Sequence, residues 1–326
     1  MLGRLRAVAH TGDVGALNEA PIDQALIPQL ARDPEACALV EQAARRSATA
    51  HRLVCADARS LSGLLDRSVH LVVTSPPYWT LKQYNRAEGQ LGEIEEFESF
   101  VSALDDVWRE CFRVLVPGGR VVCVVGDVLL SRRKNGGRHT VVPLHAGIQE
   151  HCRALGFDNL APIIWNKIGN AQYEVGRGGF LGKPYEPNAV IKNDIEYILF
   201  QRKPGGYRNP SPGTRLLSLI PAERHQEWFQ QVWTGIGGAS TRHHPAPFPL
   251  ALAERLVRMF SFVGDVVLDP FMGTGTTAVA ALRWGRNSVG VEVDQQYAAM
   301  AQARLDRESR DLFANARVEP VSIGFQ

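Results

Sequence analysis

The order of apolar and polar positions divides the chain into alternating strand-like and helix-like stretches. Arg52-Leu-Val-Cys-Ala-Asp57 is a short apolar run ending in an acid, and His70-Leu-Val-Val-Thr74 is a second, running directly into Ser75-Pro76-Pro77-Tyr78. Two consecutive prolines end strand pairing, because they lack amide donors and fix the backbone. From Phe97 to Leu115 apolar residues recur at 3.6 spacing (Phe97, Phe100, Val101, Leu104, Val107, Trp108, Cys111, Phe112, Leu115), which predicts an amphipathic helix stopped by Pro117-Gly118-Gly119. Arg120 to Val125 then reads as a buried strand, Val141 to Leu155 as a helix closed by Gly156, and Leu160 to Trp165 and Ile195 to Gln201 as strands. After Pro247 come a helix (Leu250 to Phe260), a strand (Asp265 to Leu268), a helix (Thr276 to Trp284), a strand (Ser288 to Val291) and a helix (Tyr297 to Leu305). Strands alternating with helices predict βαβ units: an α/β fold, with a mostly parallel sheet and helices on both faces.

Three stretches depart from this rhythm. Residues 1–50 carry helix signals, with Pro34 near a helix start, and no recognisable chemistry. Lys203 to Thr241 is rich in Pro, Gly, Arg and Trp with weak periodicity, and reads as a loop-rich insertion. Residues 311–326 read as a disordered tail. The predicted organisation is an N-terminal extension (1–50), one half-domain (51–202), an irregular region (203–242), a second half-domain (243–310) and the tail (311–326).

Composition changes little. The 326 residues can bury a full core, and 45% hydrophobic with 21% charged residues is ordinary for a globular protein. No apolar run is long enough to span a bilayer and no secretory h-region is visible, so the cytoplasm is the expected compartment, with no membrane contact. The five cysteines form no C-x-x-C pair, so no metal site is suggested. Net charge is only +2, but Ser131 to Arg215 holds 13 Lys and Arg against 6 Asp and Glu, an excess of 7 that suits a phosphate-facing surface or a solvated loop region equally.

The most informative local motif is Val266-Val-Leu-Asp269-Pro270-Phe271-Met-Gly273-Thr-Gly275-Thr276. A buried strand ends in an acid, a glycine loop follows and a helix begins, at the strand edge where such sheets bind nucleotides. The next strand ends at Glu292, where ribose hydroxyls would lie. Gly273-x-Gly275-x-x-Ala278 followed by Glu292 also fits a dinucleotide fingerprint. Asp269 before the turn suits a ligand amine better than a pyrophosphate, and no Lys follows Gly275 to make a P-loop.

Thr74-Ser75-Pro76-Pro77-Tyr78-Trp79 also follows a strand end, so it belongs on the same edge. Acceptors from Ser75 Oγ and the Pro76 carbonyl, aimed at the hydrogens of a nucleobase amine, would favour a pyramidal nitrogen with its lone pair toward a methyl donor. Tyr78 can stack on a base taken out of the duplex. No cysteine follows a proline, so the thiolate attack needed at cytosine carbon 5 has no candidate.

With both motifs placed, residues 52–305 resemble the β group of amino-directed DNA methyltransferases, in which the catalytic motif comes first, target recognition next and the cofactor loop last. The resemblance implies a Rossmann-like fold, S-adenosyl-L-methionine as cofactor, double-stranded DNA as substrate, and a nucleoid-associated protein of a prokaryote or phage. It implies catalytic roles for Ser75, Pro76, Pro77 and Tyr78. It puts Asp57 on the adenine, Asp269 on the methionine amine, Glu292 on the ribose, Gly273 and Gly275 where the backbone meets the ligand, Pro270, Phe271 and Thr276 in the same loop, and Phe248 in a segment closing over the cofactor. Trp79, Trp165 and Lys167 are implied at the target base, and Arg132, Arg133, Lys134, Arg138 and Arg208 on DNA, with target reading mainly in 203–242. Ser-Pro-Pro-Tyr leans toward cytosine N4, and adenine N6 is the alternative. A cognate restriction endonuclease, and a monomeric or homodimeric state, are compatible partners. An RNA methyltransferase, a nicotinamide-dependent dehydrogenase and a non-catalytic DNA-binding module are the competing readings.

Overall fold

A computed structural model describes the chain except for residues 13, 18–21, 83, 86, 131–132, 134, 168–192, 240–247, 312–314 and 326. Twelve strands occur among the described residues: β1 Thr49–Cys55, β2 Val69–Thr74, β3 Leu115–Val125, β4 Val128–Leu130, β5 Thr140–Val142, β6 Asp158–Asn166, β7 Ile195–Arg202, β8 Val232–Trp233, β9 Val266–Asp269, β10 Asn287–Glu292, β11 Ala316–Val318 and β12 Ser322–Ile323. Ten of them form one sheet in the order β11-β1-β10-β9-β2-β3-β7-β6-β8, with β12 also on β1, while β4 and β5 pair separately. The strands β1, β10, β9, β2 and β3 run parallel.

Both faces of the central strands are buried, and their side chains alternate between two cores. On β3, Val121, Cys123 and Val125 join the core under the helices Phe97–Val114 and Leu144–Ala154. Val122 and Val124 join the opposite core, against the helix Leu250–Phe260. Of the predicted stripe, Phe100, Val101, Leu104, Val107, Trp108 and Cys111 are buried, Phe97 and Phe112 are half-buried, and Leu115 is buried at the start of β3. Val114, outside the predicted stripe, is buried as well, and Glu96 caps the helix by accepting from the Glu98 and Ser99 amides. No helix among the described residues is long and apolar enough to cross a membrane.

Four features differ from the sequence reading. β7 runs antiparallel to both β3 and β6, because an apolar run fixes burial but not direction. The Pro117-Gly118-Gly119 turn lies within β3, accommodated by a register shift between Val69 and Leu71. The stretch after Lys203 contains two short helices, Pro212–Leu217 and Ala222–Trp228, before β8. The expected disordered tail instead contributes β11 and β12, both parallel to β1. The N-terminal helices Leu2–Thr11 and Pro34–Arg46 share a core with Leu216, Leu217 and Leu219.

Candidate active site

The two strands that carry the motifs are direct neighbours. β2 and β9 pair in parallel, Leu71 opposite Val267 and Val72 opposite Leu268, so Ser75 and Pro270 leave the sheet side by side. Two cross-links tie the tips together. The Thr74 hydroxyl donates to Asp269 Oδ1 at 2.7 Å, and the Thr277 hydroxyl donates to the Val73 carbonyl at 3.2 Å.

Asp269 is 2% exposed, beneath the loop rather than on the cleft wall. The expected direct contact with a ligand amine is therefore revised: Oδ1 is committed to Thr74 and to the Phe271 amide at 3.1 Å. Oδ2 is buried without a hydrogen-bond partner among the described residues, an acceptor held one layer under the ligand surface. Burial pushes the carboxyl from its ordinary 3.8 up to about 6, against the opposing pull of its hydroxyl and amide donors.

Above this floor lies an open cleft of about 560 Å³, solvent mouth included, lined by Asp57, Ser75, Pro77, Pro270, Phe271 and Glu292 among others. Glu292 is 8% exposed and accepts from the Gly273 amide at 2.8 Å and the Asp294 amide at 3.0 Å. Burial raises its carboxyl to about 7. At the cleft's other acid, Asp57 accepts two bonds from Arg59 Nε, at 2.9 and 3.1 Å. Gly89, Gln90, Leu91, Tyr84 and Tyr297 also line the wall and were not foreseen, since nothing in their spacing marks them. Acids for hydroxyl and amine donors, beside an apolar Pro270–Phe271 wall, fit a nucleoside with an amino-acid tail.

Gly275 also has a structural role. Gly275 has φ +80° and caps the helix Thr276–Arg283, and a Cβ there would come within 3.0 Å of Ala301 Cβ. The close approach it permits here is helix on helix. Thr276 is likewise structural, since its hydroxyl accepts from Arg304 at 3.0 Å.

In the catalytic loop Ser75 is half-buried on the cleft, while Pro76, Pro77 and Tyr78 are buried. Tyr78 is only 7% exposed, so its ring is part of the core and not the open stacking platform expected. Its hydroxyl donates to Glu196 Oε2 at 3.2 Å and accepts from Ser75 Oγ at 3.3 Å. Glu196 Oε1 takes the Lys167 ammonium at 2.5 Å. Glu196 escaped the sequence reading, although a carboxylate inside the apolar run Ile195–Phe200 is a signal that a partner must exist. Trp79 sits at φ +46°, packs edge-on against Phe97 and donates to the Glu95 carbonyl at 3.2 Å, bracing the loop.

Residues assigned to target and DNA separate into two groups. Arg133 and Arg138 are exposed on the loop joining β4 and β5, which leaves the same sheet edge after β3; Arg132 and Lys134 lie outside the described residues. Lys167, at the end of β6, also lies on that edge, its amide bonded to the Asp194 carbonyl at 2.8 Å. Trp165 is corrected to a core residue, 1% exposed with its indole N–H on the Ile236 carbonyl at 3.0 Å. Phe248 is partly buried against the second core and does not line the cleft. Arg208 is corrected too: it pairs with Asp265 (Nη2 to Oδ1 2.6 Å) just before β9, at the opposite edge of the sheet. Lys203 there caps the Phe112 and Leu115 carbonyls at 2.6 and 2.8 Å. The start of the expected recognition region therefore faces away from the cleft.

The sequence profile of the N6/N4 methyltransferases, described as DNA methylase, matches residues 69–303, which include both strand tips. The chain belongs to this DNA methylase family. The type II methyltransferase M.MjaI of Methanocaldococcus jannaschii is 35% identical to the methylase over 306 residues, covering 85% of this chain and 98% of that one. The Thermus thermophilus protein TTHA0409 is 54% identical, with a TM-score of 0.67 over 84% of this chain and 100% of that one, and has also been solved in complex with S-adenosyl-L-methionine. PvuII DNA methyltransferase (cytosine-N4-specific), at 18% identity and a TM-score of 0.58, shares the fold, covering 85% of this chain and 97% of that one. The methylase is thus a Rossmann-like enzyme that uses S-adenosyl-L-methionine to methylate DNA.

Proposed function

We propose that the methylase transfers its methyl group to the exocyclic N4 of cytosine in duplex DNA, with the base turned out of the helix into the cleft beside Ser75. The observation that carries this reading is Ser75 itself: a neutral hydroxyl lines the cleft at the position where adenine-directed enzymes of the β group lean to aspartate. Bound cofactor supplies an electrophilic methyl on sulfonium. The chain's own residues do the rest. Ser75 Oγ and the Pro76 carbonyl accept the two amine hydrogens and so localise the nitrogen lone pair. Pro76 and Pro77 hold those acceptors rigid. Methyl transfer would form one nitrogen–carbon bond in exchange for the cofactor's carbon–sulfur bond, with the Ser75 and Pro76 acceptors holding the amine hydrogens until one is lost as a proton to solvent. Arg133 and Arg138 on the same edge bind phosphates. M.MjaI and M.MthZI are named type II methyltransferases, which supports a partner endonuclease for the same site.

Nucleoside mass spectrometry of DNA from expressing cells tests the base. N4-methylcytosine, absent from control cells, is the expected product. N6-methyladenine in its place would transfer the proposal to adenine.

A further inference from the structure

Behind the catalytic loop lies a line of four polar groups, of which only the two at its cleft end belong to the motif. Glu196 is 7% exposed on β7, with both oxygens occupied: Oε2 by the Tyr78 hydroxyl and Oε1 by the Lys167 ammonium. It is packed closely enough that a Cβ on Gly126 would lie 3.4 Å from Glu196 Cγ and 3.5 Å from Tyr78 Cε2. A buried carboxylate is costly unless paired, and this one is paired to Lys167, whose side chain is 39% exposed at the sheet edge. Ionised carboxylates only accept hydrogen bonds, and ammonium groups only donate.

That restriction fixes every proton along the line. Facing a carboxylate, the Tyr78 hydroxyl must donate, so its oxygen is left as an acceptor. The Ser75 hydroxyl, 3.3 Å away, therefore spends its one hydrogen on Tyr78. Ser75 Oγ then presents lone pairs alone to the cleft. We infer that Glu196, held by Lys167, is a positioning residue that sets the polarity of the Ser75 hydroxyl through Tyr78, so that Ser75 receives an amine N–H and never competes with it as a donor. Without this bias a serine hydroxyl could turn its hydrogen toward the amine lone pair and quench the nucleophile. The inference rests on Ser75 facing the amine; it does not depend on the base being cytosine.

The substitution that reverses the line is Glu196→Gln. Its amide oxygen keeps Lys167 and its NH₂ faces Tyr78, which would then donate toward Ser75. Turnover should fall about 10- to 100-fold, less than or similar to loss of a direct transition-state contact. Cofactor affinity by calorimetry and the KM for DNA should stay within about two-fold, because Glu196 touches neither ligand and uniform binding is untouched. A double-mutant cycle supplies the readout that a packing role would not move: in Tyr78→Phe, which already breaks the line, adding Glu196→Gln should cost nothing further. Glu196→Leu is the second variant, should Glu196→Gln melt early: it removes the acceptor outright, frees the Tyr78 hydrogen for Ser75, and should lower turnover in the same Tyr78-dependent way. Wild-type turnover in Glu196→Gln, or losses that add fully to Tyr78→Phe, would overturn the inference. Wild-type turnover in Ser75→Ala would instead overturn the underlying reading of Ser75.

Discussion

The Thr74 hydroxyl donates to the Asp269 carboxylate at 2.7 Å, across 195 positions of sequence. One hydrogen bond thus joins the strand that precedes the catalytic loop to the strand that precedes the cofactor loop. Because β2 and β9 pair over only two register positions, this bond and the Thr277–Val73 contact extend the seam up to the point where chemistry occurs.

Two buried carboxyls, Asp269 in the seam and Glu292 at the end of the neighbouring β10, make stability depend on pH in a defined direction. Burial raises Asp269 from 3.8 to about 6 and Glu292 from 4.5 to about 7. The folded chain therefore binds these protons more tightly than the unfolded one, and stability from this source is fully present below pH 3.8 and is lost as pH rises through about 6 and 7. Urea midpoints of the cofactor-free enzyme should decline over that range. Asp269→Asn keeps an acceptor for Thr74 and should remove the lower part of the decline; an unchanged profile would assign it to other groups.

Gly275→Ala should destabilise the fold by about 1–2 kcal/mol, the cost of a left-handed backbone with a side chain. The contact with Ala301 adds to this. A denaturant midpoint measures it, and an unshifted midpoint would mean that the helix pair relaxes freely.

Glu292→Ala should raise the cofactor dissociation constant about 10- to 100-fold, the range expected when bonds to a charged group are lost. Turnover at saturating cofactor should change far less. Calorimetry with S-adenosyl-L-methionine decides; unchanged affinity would remove Glu292 from the binding site.

The two edges of the sheet should respond oppositely to loss of arginine. Arg133→Ala and Arg138→Ala should each weaken DNA binding and reduce the log–log salt slope by about 1. Arg208→Ala should leave that slope intact and instead cost stability, about 1.5–3 kcal/mol, because it strips a bonded partner from buried Asp265. A salt-dependent DNA-binding defect in Arg208→Ala would contradict its placement.

How much of this was readable in the sequence follows from what each signal encodes. The strand-acid-glycine pattern at 266–275 and the strand ending at Ser75 gave both tips, because strand ends and turn residues are local properties. Direction is not local, so the reversal of β7 was invisible, and with it the fact that the chain after Arg202 starts on the far edge. Arg208 looked like a DNA contact because charge alone does not show which edge it faces. Trp165 looked like a pocket residue for a similar reason: an aromatic in a β run is as suited to a core as to a ligand. Glu196 could have been flagged by its place in an apolar strand, but its partners lie 29 and 118 positions away.

The short strands β11 and β12 lie along the outer side of β1. Removing residues 315–325 would uncover a row of amide and carbonyl groups on Thr49–Cys55, the kind of surface onto which another polypeptide can add itself. Shortening the chain there should therefore be felt first as clumping at high concentration, before any fault in methyl transfer.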